Sequence, residues 1–103
     1  MVEILTESKF KQKVKKGMLV VEFFADWCKP CKEMKPVLEK LEKTFPKVKF
    51  GRIDVDQKKE LCSSLVIVSI PTFMIFKDGI EIERLVDKVP IEVLQNEIEM
   101  RLK

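Results

Sequence analysis

A nearly continuous apolar segment constrains the fold more than any other feature of this sequence. Residues Met18–Ala25 read MLVVEFFA, in which Glu22 is the only polar residue. A run that is apolar at almost every position is typical of a strand covered on both faces of a sheet. We therefore expect Met18–Ala25 to be a fully buried strand, with an acidic side chain inside it.

The residues after this strand show a helical pattern. Apolar residues recur at spacings of four, three and four, at Met34, Leu38, Leu41 and Phe45. Pro36 lies inside this run and should kink the helix without ending it. A second strand is predicted at Val48–Val55. Strand, helix and strand in this order form a βαβ unit, so we expect the two strands to be parallel.

The segments on either side supply further elements. Val2–Leu5 favours a short strand, and Lys58–Ser64 favours a short helix. Another helix is predicted between Thr6, a residue type that caps helices, and Gly17, a residue type that ends them.

The last third of the chain predicts a hairpin and a closing helix. Asp78-Gly79 separates the β-prone segments Thr72–Phe76 and Ile80–Val86, which should therefore pair antiparallel. Pro90 suits the first turn of a helix. The apolar stripe of that helix is predicted at Ile91, Leu94, Ile98 and Leu102. The chain of 103 residues is long enough for one core, so we expect a single domain over residues 1–103. The predicted class is α/β, with a mixed five-stranded sheet flanked by four helices.

Composition excludes several kinds of protein. The net charge of +3 is too small to indicate nucleic-acid binding. The chain has no histidine, which removes catalysis by a histidine base and every histidine-ligated metal site. Met1–Phe10 has no apolar stretch of signal-peptide length, and no apolar run approaches the roughly 20 residues of a membrane helix. We expect a cytoplasmic protein that does not bind membranes.

Two cysteines lie where the buried strand passes into the long helix, in the sequence Trp27-Cys28-Lys29-Pro30-Cys31. Cys28 should fall at the helix N-terminus, where unpaired backbone N–H groups and the helix dipole favour an anion. The reactive form of cysteine is the thiolate anion, and Lys29 adds a positive charge beside it. Cys31 lies one helical turn further on and can close a disulfide with Cys28.

Two other interpretations of this cysteine pair are a structural zinc site and two cysteines without a special role. A structural zinc ion needs four ligands, and Cys62 is the only further cysteine in a chain without histidine. We interpret Cys62 as a small packing residue and expect no metal. A CxxC pair between a strand and a helix, in a chain of this size, favours a redox motif.

Together these motifs resemble the thioredoxin family over essentially the whole chain. The matching segments occur in the family's order: Val21–Lys32, Pro36 within the helix, Arg52–Asp56, Ile70–Thr72 and Phe76–Gly79. The resemblance implies the thioredoxin fold and a protein disulfide reductase activity. Cys28 would attack the disulfides of substrate proteins, and Cys31 would then release the product. Glu22 would lie beneath the cysteines and exchange a proton with Cys31.

The resemblance also implies the substrate contacts and partners. Trp27 would pack beside Cys28 and shield it, or else anchor the loop at the surface. Lys29 and Pro30 would lie at the substrate-facing turn. Ile70 would pair with an extended substrate through its backbone, next to a cis bond at Pro71. A thioredoxin reductase would re-reduce the protein, which would bind no cofactor of its own and act as a monomer.

The sequence departs from the family pattern at three positions. Lys29 stands where the family usually has glycine, and Glu22 stands where it usually has aspartate. Asp87 stands at a glycine that lines the family's docking surface, which makes partner choice less transferable than the dithiol chemistry. The longer Glu22 side chain could reach toward Cys31 or pair with Arg52. We favour the first, with the Arg52 head group directed to solvent.

Two other functions are compatible with this fold. The first is a dithiol oxidant or isomerase, which the absence of a secretory signal and of histidine between the cysteines disfavours. The second is a redox-inert interaction module, against which the retained Cys28, Cys31, Glu22 and Pro71 argue.

Overall fold

Nine elements of secondary structure follow one another along residues 1–103, all of which the computed structural model describes. Their bounds are β1 (Glu3–Ile4), α1 (Glu7–Val14), β2 (Met18–Phe24), α2 (Lys29–Thr44), β3 (Lys49–Asp54), α3 (Lys59–Ser64), β4 (Thr72–Lys77), β5 (Ile80–Val86) and α4 (Ile91–Leu102). The predicted order of strands and helices is confirmed, and Pro36 lies inside α2 without ending it.

The apolar segment that constrained the fold forms the central strand. The five strands are ordered β1-β3-β2-β4-β5, and every residue of β2 is buried. The β2 strand runs parallel to β3, as the βαβ pattern predicted, and antiparallel to β4. The β4–β5 hairpin is antiparallel, also as predicted. The mixed five-stranded α/β sheet is therefore confirmed.

Helices cover both faces of the sheet. On one face, Met34 and Leu38 of α2 and Leu94 and Ile98 of α4 pack against alternate strand residues such as Val20. On the other face, α1 and α3 contribute a second cluster, in which the aromatic rings of Phe10 and Phe76 meet edge to face with centroids 5.4 Å apart. This double covering is why β2 carries apolar residues at successive positions instead of alternating ones.

Local signals place the turns. The hydroxyl of Thr6 accepts a hydrogen bond from the Lys9 N–H (3.1 Å), the arrangement of a helix N-cap. Asp78 and Gly79 have φ angles of 51° and 88°, which is the left-handed conformation that a two-residue hairpin needs at both central positions. The Asp78 carboxylate also accepts a hydrogen bond from the Gly17 N–H (2.7 Å), so the hairpin is tied to the loop after α1.

The burial of one predicted core residue and the exact ends of several elements need correction. Leu102 is 46% exposed, because the final turn of α4 carries it away from the buried stripe that holds Leu94 and Ile98. Pro90 is the N-cap of α4 and lies before its first turn. The strand predicted at Val48–Val55 is one residue shorter at each end. None of the four helices has the length and apolar character needed to span a bilayer.

The turn that follows α3 contains a residue in an unusual backbone conformation. Val66 has a φ of 58°, and its N–H donates to the Ser63 carbonyl (3.0 Å) while the Ile67 N–H donates to the Cys62 carbonyl (3.0 Å). This pair of bonds is the Schellman arrangement, in which the left-handed position is normally glycine. A β-branched residue with positive φ is strained, so the loop after α3 stores conformational energy.

Val66→Gly should therefore stabilise the protein. Relief of the left-handed conformation returns about 1–2 kcal/mol, from which the greater flexibility of glycine in the unfolded chain subtracts about 0.5–1 kcal/mol. We expect a net gain of about 1 kcal/mol in the free energy of unfolding, measured as a higher urea midpoint at unchanged slope. Val68→Gly, at an exposed position of the same loop without positive φ, is the matched control and should not stabilise. A Val66→Gly midpoint at or below that of the wild type would contradict the strain.

Candidate active site

The two motif cysteines lie at the N-terminus of α2, as predicted. Cys28 is the N-cap residue, and its sulfur accepts a hydrogen bond from the Cys31 N–H at 3.3 Å. Pro30 occupies the first turn, where its missing N–H costs nothing. A backbone donor aimed at Sγ, at the positive end of a helix dipole, stabilises a negative charge on that sulfur.

The two sulfurs are bonded to each other and differ in access. Cys28 and Cys31 form a disulfide, with Cα atoms 5.3 Å apart. Cys31 is completely buried, whereas Cys28 retains 4% exposure and lines the largest groove on the surface. Cys28 is thus the sulfur that a large disulfide-containing molecule can reach.

The groove beside Cys28 has a volume of about 630 Å³ and is open to solvent. Its walls come from the CxxC turn, the end of β3 and the loop before β4. They are lined by Trp27, Cys28, Lys29, Pro30, Val55, Ile67, Val68, Ser69 and Ile70. Sequence reasoning singled out five of these residues. It missed Val55, Ile67, Val68 and Ser69, although the apolar sequence before Ile70 was a visible signal.

Trp27 fits the interpretation of a surface anchor better than that of a shield over Cys28. Its side chain is 71% exposed, and its indole N–H donates to the Asp56 carboxylate at 2.8 Å. The hydrogen bond holds the exposed ring at the rim of the groove. Trp27 is thus held by Asp56 and widens the apolar surface around Cys28.

The loop opposite the cysteines contains the expected cis bond, between Ile70 and Pro71. The N–H and carbonyl groups of Ile70 make no hydrogen bond within the protein, although Ile70 lines the groove. The neighbouring Asp87 has a φ of 81°, and its N–H donates to the Pro71 carbonyl at 2.8 Å. Asp87 is exposed, and its carboxylate accepts a hydrogen bond from the Lys88 N–H at 2.7 Å.

Glu22 is completely buried and pairs with Arg52, so the expectation that the Arg52 head group is directed to solvent proves wrong. The Arg52 Nε donates to Glu22 Oε1 at 2.9 Å. Arg52 does not extend to solvent: it is 6% exposed, and its guanidinium lies 3.8 Å from the centroid of the Phe24 ring. The two strands are parallel and in register at Glu22 and Arg52, so both side chains project from the same face. Stacking on Phe24 offsets the loss of water around the guanidinium.

Burial nevertheless dominates the acidity of Glu22. Loss of hydration raises its pKa from 4.5 to about 7, and the hydrogen bond and charge of Arg52 only partly oppose that rise. Glu22 Oε2 is buried and makes no hydrogen bond, so it is the oxygen that can hold a proton. Pairing with Arg52 and a raised pKa thus coexist at Glu22.

The remaining cysteine is part of the core. Cys62 is 5% exposed and packs in the cluster that contains Phe10 and Leu61. Burial raises the pKa of the Cys62 thiol, and the charge of Asp54 raises it further. A thiol kept neutral in this way is a poor nucleophile, in keeping with the packing role predicted for it. No three or more Cys, Asp or Glu side chains are grouped so that they could hold a metal ion.

The raised pKa of Glu22 makes stability depend on pH. Between pH 4.5 and about 7 the folded protein binds more protons than the unfolded chain, so the free energy of unfolding falls as the pH rises. Glu22→Gln has no charge to bury. It should match the wild type near pH 4 and exceed its free energy of unfolding by roughly 2–3 kcal/mol at about pH 8.

Urea unfolding at both pH values checks this prediction, with Glu92→Gln at an exposed position of α4 as the control. If Arg52 outweighed desolvation, the sign would reverse, and Glu22→Gln would be the less stable protein at the higher pH.

Comparison with known proteins agrees with this geometry. The thioredoxin family model matches residues 1–100. A thioredoxin of Chlamydia pneumoniae is 38% identical, covering 93% of this chain and 94% of its own, and one of Bacillus subtilis is 37% identical over 94% of each. The solution structure of oxidised thioredoxin from Plasmodium falciparum superposes with a TM-score of 0.88 at 33% identity, over 98% of both chains. The chain, with its redox-active cysteine pair, belongs to the thioredoxin family.

Proposed function

We propose that the protein is a cytoplasmic protein disulfide reductase, which reduces the disulfides of other proteins by oxidising Cys28 and Cys31. One observation carries the proposal. The sulfur of Cys28 receives a backbone hydrogen bond at a helix N-terminus and also lines an apolar groove. The Cys28 sulfur is thus both stabilised as a thiolate and accessible to a large partner.

The first step uses Cys28 as the nucleophile. In the reduced protein its thiolate attacks one sulfur of the substrate disulfide, whose S–S bond breaks as the mixed disulfide forms. The second substrate sulfur leaves as a thiolate and takes a proton from solvent. The Cys31 N–H and the dipole of α2 stabilise the attacking thiolate, and exposed Lys29 adds a weaker, salt-screened attraction.

The groove supplies the substrate contacts. An extended segment around the substrate cysteine lies along Ile70, whose free N–H and carbonyl groups pair with it as one strand pairs with another. Trp27, Pro30 and Val68 offer apolar surface on either side. Pro71 has no N–H and holds the turn that presents Ile70.

The second step needs a base for Cys31, which is buried and enters the reaction as a neutral thiol. Glu22 has a pKa of about 7, so close to half of it is ionised near neutral pH. A base with this pKa takes up and returns a proton readily at cellular pH. We assign Glu22 Oε2 as the acceptor, since Oε1 is engaged by Arg52. The Cys31 thiolate then attacks Cys28 Sγ, closes the internal disulfide and releases, as a thiolate, the substrate sulfur that Cys28 had attacked in the first step.

The cycle closes when two electrons from a thioredoxin reductase restore the dithiol. Electrons enter and leave through the same pair of sulfurs, and the protein needs no cofactor of its own. The exposed positions of Trp27 and Val68 leave room for either partner at the same groove. The proposed unit is a monomer with one domain, residues 1–103.

Two cysteine variants test the proposal against a redox-inert module. With dithiothreitol as the electron source, the wild type should accelerate insulin reduction, whereas Cys28→Ser and Cys31→Ser should not. Cys31→Ser should accumulate a mixed disulfide with insulin, since the attacking sulfur remains and the resolving sulfur is gone. Cys28→Ser should accumulate none. Cys62→Ser, which removes the buried third thiol, is the control and should keep wild-type activity. Trapping by Cys28→Ser instead of Cys31→Ser would reverse the assignment, and a wild type without activity would exclude the reductase.

A further inference from the structure

Arg84 on β5 reaches across to the loop between α3 and β4. Its Nη1 donates to the Val66 carbonyl and its Nη2 to the Leu65 carbonyl, both at 2.8 Å. The same guanidinium is held by Glu81, whose carboxylate accepts from Nε at 2.8 Å and from Nη2 at 3.0 Å. Arg84 is 27% exposed, so this double fork is partly shielded from water.

The carbonyls that Arg84 binds belong to the strained end of α3. Leu65 caps that helix, and Val66 is the residue with the positive φ. A helix C-terminus leaves carbonyl groups without partners and carries a partial negative charge, which a cation stabilises. A valine in the left-handed conformation persists only where its surroundings hold it. Arg84 supplies that restraint through two charge-assisted hydrogen bonds.

The loop that follows is fixed at its far end by different groups. The Thr72 hydroxyl donates to the Ser69 carbonyl at 2.6 Å, and the Asp87 N–H donates to the Pro71 carbonyl. Between the two anchored ends lie Ile67 and Val68, which form one wall of the groove beside Cys28. Arg84 itself is not among the groove-lining residues.

We propose that Arg84, oriented by Glu81, is a positioning residue for substrate docking: it holds the Leu65–Ile70 loop so that its apolar wall and the Ile70 backbone face Cys28. This rests on the proposed reductase function. Arginine suits the task because its planar fork binds two carbonyls and one carboxylate at once, which a lysine cannot do. Without the hydrogen bonds from Arg84 to the Leu65 and Val66 carbonyls, the strained turn relaxes. A protein substrate must then order the loop when it binds.

Loss of Arg84 should weaken the binding of protein substrates and leave the reaction with small disulfides unchanged. In Arg84→Gln the KM for insulin, with dithiothreitol recycling, should rise about five- to tenfold, as expected for the loss of about one tenfold step in binding. The kcat should stay within about twofold of the wild type. Reduction of 5,5′-dithiobis(2-nitrobenzoate) by the reduced variant should keep its rate, since this small disulfide needs Cys28 but not the loop. Arg84→Lys should fall between Arg84→Gln and the wild type.

Arg101 offers a matched control. It pairs with Glu83 of β5 and Glu97 of α4 and does not contact the loop, so Arg101→Gln should leave the KM for insulin unchanged. Amide hydrogen exchange supplies a readout independent of activity. The Ile67 N–H, bonded to the Cys62 carbonyl, should exchange faster in Arg84→Gln and not in Arg101→Gln.

The outcomes separate the two proposals. The wild type could fail to reduce insulin while the Ile67 amide still exchanges faster in Arg84→Gln. This result would exclude the reductase function but support the role of Arg84 in holding the loop. An active wild type with unchanged KM in Arg84→Gln would overturn docking control by Arg84. So would an equal loss of rate toward both disulfides, because that points to a general effect on the fold. If Arg84→Gln does not fold, Arg84→Lys and Glu81→Gln decide by the same measurements.

Discussion

Burial of β2 on both faces is the constraint from which the other features of the site follow. Helices cover each side of this strand, and α2 begins close to where β2 ends, which puts Cys28 at a helix N-terminus. The same burial removes water from Glu22. Its charged form is disfavoured enough to raise the pKa to about 7, although Arg52 donates to one of its oxygens. A single central strand thus positions the attacking sulfur and sets the acidity of the buried acid.

The site combines rigid and strained parts. The cysteines are presented by the first turn of a long helix, whereas the facing wall is a loop that contains a left-handed valine. Strain of this kind persists only with external support. Arg84 and Thr72 donate hydrogen bonds to carbonyl groups of this loop from β5 and β4. The loop can then leave the Ile70 backbone unpaired and still hold its place at the groove.

Features with a local signal could be predicted from the sequence. The apolar β2 segment, the Asp78-Gly79 turn and the position of Cys28 each follow from neighbouring residues, and all are found as predicted. Contacts between distant long side chains could not be predicted. Nothing near Arg52 in the sequence indicates that Phe24 offers its guanidinium a surface, which is why the expected solvent-facing orientation was wrong. The bonds from Arg84 to the end of α3 likewise depend on how β5 and the loop meet in space.

The central claim is that desolvation outweighs Arg52 and keeps Glu22 protonated up to neutral pH. Carbon-13 NMR titration of the Glu22 side-chain carboxyl, assigned by comparison with Glu22→Gln, measures this directly in the oxidised protein, where neither motif cysteine titrates. The account predicts a pKa near 7, well above the ordinary value of 4.5. A carboxyl that titrates at or below 4.5 would mean that the Arg52 ion pair controls the site, and Glu22 would then be too weak a base to take the proton of Cys31.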